Sequence, residues 1–167
     1  MARRSNHPAT LAGVVIWAYG FAIHYEVLRA DDSTLRAIQE AVQIAEASSN
    51  DVALSVAEYS LGVALLSRDA AADHRRGLEL IVPARDIWLR KQVALQMVPI
   101  ADLWVAQARA GGGDRDAAIA VMAQSWTSCT GQDGSGMGFG APAFWRRRCS
   151  SVAPRATWPK PKRRSTG

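Results

Sequence analysis

Apolar residues recur at helical spacing along the first 126 positions, and this constrains the fold more than any other feature. In one segment Leu35, Ile38, Val42 and Ala45 share a face, while polar residues fill the opposite face. No segment alternates between apolar and polar residues as a half-buried strand would. We therefore predict an all-α chain of antiparallel helical hairpins. Six helices are expected, at about 10–29, 34–47, 52–67, from 69 or 73 through 88, 99–110, and from 115 on.

Capping residues and helix breakers set the boundaries of these helices. Asp31–Thr34 and Ser48–Asp51 carry the residue types that cap a following helix, and Asp69 or Asp73 could cap the fourth. Pro83 removes a backbone donor, so we expect a kink or break near position 82. Pro99 should open the fifth helix, and the glycines at 111–113 should end it before Asp114 caps the sixth.

Charge and composition divide the chain at position 126. Residues 1–126 hold 12 Lys or Arg against 14 Asp or Glu, whereas residues 127–167 hold eight against one and carry +7. The second part is also rich in Gly and Pro, so we expect a helical-repeat region over 1–126 and a disordered tail over 127–167. The tail could bind nucleic acid non-specifically, or its basicity could be accidental. The residues concerned are Arg146, Arg147, Arg148, Lys160, Lys162, Arg163 and Arg164.

No residue pattern predicts catalysis, a cofactor or a metal. Cys129 and Cys149 lie 20 positions apart without a nearby histidine, which is unlike a metal site. The three histidines are isolated, and neither a metalloprotease motif nor a nucleophile elbow occurs. Gly-Lys never occurs, so a phosphate-binding P-loop is excluded. We predict a non-enzymatic protein with no small-molecule substrate.

The amino-terminal segment favours a cytoplasmic chain. The longest near-apolar stretch, 11–23, is too short to span a bilayer. Arg3 and Arg4 precede it, as in an export signal, but no small-x-small cleavage site follows. An amphipathic first helix is the preferred interpretation.

Small residues recur at intervals that suggest repeats. In a tetratricopeptide repeat, a small residue on the first helix lets the second helix pack closely. A second small residue, twelve positions later, packs back against the first helix. Ala106 and Ala118 have this spacing. Gly62 and Gly77 are fifteen apart, which implies a longer turn, and Gly20 before small residues at 37 and 41 is a weaker copy. The predicted repeat-packing residues are Gly20, Gly62, Gly77, Ala106 and Ala118.

Several segments resemble the tetratricopeptide-like region of large bacterial signalling regulators. Those proteins join a nucleotide-cyclase or regulatory domain to a STAND-type ATPase, and some end in a LuxR-type helix-turn-helix. The resemblance covers about residues 2–126 and implies a helical array that contacts other proteins. No cyclase, ATPase or DNA-reading segment is present to carry an activity over. The similar segments are Ala2–Ala12, Trp17-Ala18, Arg76–Leu80 and Ala110–Met122.

The tail is unlike that family, and we interpret it as a product of a shifted reading frame. Plausible GC-rich codons for residues 151–167, read two bases later, give an acidic, alanine-rich sequence like the body's helices. A truncated array would be uncapped and prone to self-association.

Trp88 and Trp104 could anchor a protein partner, or they could simply fill the core.

Overall fold

The computed structural model describes residues 16–24 and 26–130, with side chains except at positions 16, 17, 124 and 126–130. No strand occurs in these ranges, which confirms the all-α prediction. The elements are a π-helical turn Ile16–Gly20, α1 (Phe21–His24), α2 (Asp32–Ala47), α3 (Asp51–Leu66), α4 (Ala71–Lys91), a 3₁₀ turn Leu95–Met97, α5 (Val98–Gly111) and α6 (Arg115–Thr130).

The chain divides into two compact units, Met1–Ala101 and Asp102–Gly167, which are described separately. This division lies within α5 and not at the composition change after position 126. Helix α6 continues to Thr130, four residues beyond that change. The described residues do not include the seven basic tail residues that could bind nucleic acid, nor do they include Arg3 and Arg4.

The first helix ends earlier than its apolar pattern suggests. The expected helix extends to position 29, but α1 ends at His24. Glu26 adopts a left-handed conformation with φ 61°, and the N–H groups of Val27 and Leu28 both donate to the Ala22 carbonyl. The left-handed residue turns the chain out of the helix, and the expectation was wrong for this segment.

Helix α2 begins where its capping residues predict. The Asp31 carboxylate accepts a hydrogen bond from the Thr34 N–H at 2.8 Å, so an otherwise unpaired donor of the first turn is satisfied. This bond, helped by the Ser33 hydroxyl, lowers the pKa of Asp31 to about 2. The helix buries Thr34, Ile38, Ala41 and Ala45.

Helix α3 is central in the first unit and packs against α2, α4 and the π-helical turn. Asn50 caps it by accepting from the N–H groups of Val52 and Ala53, both at 3.1 Å. Ala53 and Ala57 form a buried cluster with Ala45 of α2. Small side chains at this contact allow the two helices of the hairpin to approach closely.

Helix α4 passes Pro83 without a break, so of the kink or break expected near position 82 the break does not occur. Its buried residues are spaced at helical intervals along one face: Gly77, Leu80, Ile81, Ala84 and Trp88. Pro83 is exposed on the other side. The Glu79 carbonyl, which the proline cannot satisfy, is therefore on the face open to water, and this lowers the cost of the missing bond.

The expected cap of α4 is also wrong. Ala70 occupies the N-cap position and makes no side-chain hydrogen bond. Asp73 lies inside the first turn, where it pairs with Arg68 at 2.8 Å. A carboxylate in the first turn still interacts favourably with the helix dipole.

In the second unit, the glycines at 111–113 end α5 as predicted. The N–H of Asp114 donates to the Arg109 carbonyl and that of Gly113 to the Ala110 carbonyl. These two bonds define a Schellman motif, and Gly113 supplies its left-handed residue with φ 98°. Asp114 then caps α6 by accepting from the Ala117 N–H at 3.3 Å.

Candidate functional site

Of the three glycines among the predicted repeat-packing residues, the two at the contact between α3 and α4 approach their neighbours most closely. A Cβ atom added to Gly62 would lie 2.9 Å from the Gly77 carbonyl oxygen and 2.6 Å from Cγ1 of Ile81. A Cβ atom added to Gly77 would lie 2.9 Å from the Gly62 carbonyl oxygen and 2.8 Å from Cγ of Leu66. The structure thus brings the two glycines face to face, at a distance that admits no side chain on either helix.

Gly20 contacts a different helix from α2, which carries its proposed repeat partners. An added Cβ would meet Oγ of Ser60 on α3 at 3.3 Å, and nothing from α2 is within 4 Å of it. Ser60 is fully buried and donates to the Val56 carbonyl at 3.2 Å. The expected contact with the small residues at 37 and 41 is therefore corrected: Gly20 packs on α3.

Ala106 and Ala118 both lie in the second unit, on α5 and α6, and both are fully buried. Met122, one turn beyond Ala118, is also fully buried. The same unit contains a polar contact across the two helices, in which the Ser125 hydroxyl donates to the Asp102 carboxylate at 3.0 Å.

Trp88 is a core residue and not a surface anchor. Its side chain is fully buried, its Nε1–H donates to Oγ of Ser55 at 2.9 Å, and its ring centre lies 5.1 Å from that of Tyr59. Trp104 is also buried, with 4% of its surface exposed. The interpretation of these two rings as partner anchors is corrected, because neither is presented to a partner.

Arg68 connects three segments, a role that no motif in the sequence indicates. Its Nη1 donates to the Asp32 carboxylate at 3.0 Å and to the Ala30 carbonyl at 3.1 Å. Its Nε donates to Asp73 at 2.8 Å. The hydrogen bonds that Arg68 donates to Asp32 and then to Asp73 raise the pKa of the guanidinium above its ordinary value. The guanidinium thus ties the start of α2 to the start of α4.

The Arg68 carbonyl accepts a hydrogen bond from Nε2 of His74. A carbonyl oxygen can only accept, so Nε2 carries the proton in this contact. The side chain and the backbone of one residue therefore fix the turn between α3 and α4. No local pattern signals this, because Ala30 and Asp32 lie 38 and 36 positions away in the sequence.

Metal ligands do not converge in the part of the chain that the structure describes. No group of three or more His, Cys, Asp or Glu residues there could hold a metal ion. The side chain of Cys129 and all of Cys149 fall outside the description. Among the described helices, none combines the length and apolar character that a bilayer crossing requires.

Four large apolar side chains are exposed within the described ranges: Val27, Ile44, Leu89 and Leu95. They are spread over α2, the end of α4 and two connecting turns.

Comparison of the chain with protein-family models, curated proteins and solved structures finds no match. The arrangement of residues is therefore the basis for the function proposed next.

Proposed function

We propose that this chain is a helical-repeat segment of a cytoplasmic bacterial signalling or transcriptional regulator that acts through protein contacts and not through catalysis. The face-to-face approach of Gly62 and Gly77 is the observation that carries the proposal. Small residues at matched positions of consecutive helices are how tetratricopeptide-like hairpins pack. Arrays of such hairpins work by offering extended surfaces to other proteins.

The surface offered by the first unit includes the outer side of α2. Ile44 is 41% exposed there and lies between the exposed polar residues Gln43 and Glu46. An exposed aliphatic side chain with a polar border is a composition that protein contacts use. Because Trp88 and Trp104 are buried, Ile44 replaces them as the residue to test for partner binding.

The experiment immobilises the full chain and exposes it to an extract of the cells that produce it. Three forms are compared: the wild type, Ile44→Glu, and the matched control Gln43→Glu on the same exposed side. We expect a protein retained by the wild type and by Gln43→Glu, with at least a tenfold loss on Ile44→Glu.

A protein retained equally by all three forms would contradict the role of the α2 surface. A matrix that retains nothing beyond background would contradict binding of a protein partner. Far-UV circular dichroism of each form checks that the substitutions leave the helices intact, because both change an exposed residue.

Non-specific nucleic-acid binding by the tail is the second candidate, favoured by the +7 charge of residues 127–167. Such binding depends steeply on salt, because each neutralised phosphate releases counterions. Replacing Arg146, Arg147 and Arg148 by Gln in the full chain should weaken binding to single-stranded DNA and flatten its salt dependence. An unchanged salt slope would contradict this candidate.

A further inference from the structure

We draw no further inference here: the strongest candidate, the apolar stripe that the partly exposed side chains of Leu78, Val82 and Leu89 form along one side of α4, carries no proposal because nothing in the structure shows what covers it.

Discussion

Replacing Gly77 by Ala tests the close approach of α3 and α4. Gly77 lies inside α4, and alanine is the better helix former, so the substitution alone would stabilise the helix by about 1 kcal/mol. The added methyl group, however, would lie 2.9 Å from the Gly62 carbonyl oxygen and 2.8 Å from Cγ of Leu66. The first of these is a backbone atom that cannot move without displacing α3.

The packing effect should exceed the helix preference. Overpacking of a filled contact costs about 1–3 kcal/mol, and contact with a backbone atom places this case near the upper limit. The two effects oppose each other, so we expect Gly77→Ala to destabilise the chain by about 2 kcal/mol. This corresponds to a melting temperature lower by about 8 °C for a unit of roughly 100 residues.

Thermal unfolding followed by circular dichroism at 222 nm measures the effect. Gly111→Ala is the matched control, because Gly111 is the last residue of α5 and an added Cβ would have no atom within 4 Å. The control should be neutral or more stable by up to about 1 kcal/mol. If Gly77→Ala melted at or above the wild-type temperature, α3 and α4 would not approach as described.

Four further predictions follow from individual contacts. Ser55→Ala leaves the buried Trp88 N–H without its acceptor and should destabilise the chain by about 1–3 kcal/mol. The loss should be smaller when Trp88 is already replaced by Phe, and a double-mutant cycle followed by urea unfolding measures the difference. Asn50→Ala removes the α3 cap and should lower the free energy of unfolding by about 1 kcal/mol, measured in the same way; no loss would argue against the cap. Because the folded pKa of Asp31 is lowered to about 2, its contribution is complete above the unfolded pKa of about 3.9 and is lost as pH falls towards 2. Urea midpoints across that range should fall more steeply for the wild type than for Asp31→Asn. Burial, together with the charge of Glu46, raises the pKa of Glu58, so the ionised form disfavours folding; Glu58→Gln should stabilise the chain at pH 7, with the gain disappearing below about pH 4.

Helix ends that depend on local chemistry could be predicted from the sequence. The Asp31 cap and the Schellman motif at Gly113 use bonds between residues at most five positions apart, so the residue types alone indicate them. The pairing of Gly62 with Gly77 could also be predicted, because each is a small residue on one of two consecutive helices, although their separation of fifteen exceeds the usual twelve.

Features that depend on tertiary placement could not be predicted in this way. Pro83 was expected to interrupt α4, but whether a proline is tolerated depends on which side of the helix faces water. The turn at Gln92 and Ala94 contradicts the local helix preference altogether. Arg68 was missed because its partners Ala30 and Asp32 are distant in the sequence.

The candidate partner site shows the same limit. A tryptophan at helical spacing can fill a core or anchor a partner, and the sequence left both interpretations of Trp88 open. The bond from its ring N–H to Ser55, 33 positions earlier, makes it a core residue. Ile44, the one large apolar side chain exposed on α2, gave no signal in the sequence because single exposed aliphatic residues are common.

Sequencing the coding DNA with about a kilobase on each side, and translating every frame, tests the central proposal most directly. The proposal expects STAND-type ATPase or cyclase sequence upstream, with repeat helices resuming in another frame after Ser125. Unrelated genes on both sides, with every alternative frame closed after Ser125, would contradict the assignment to a signalling regulator.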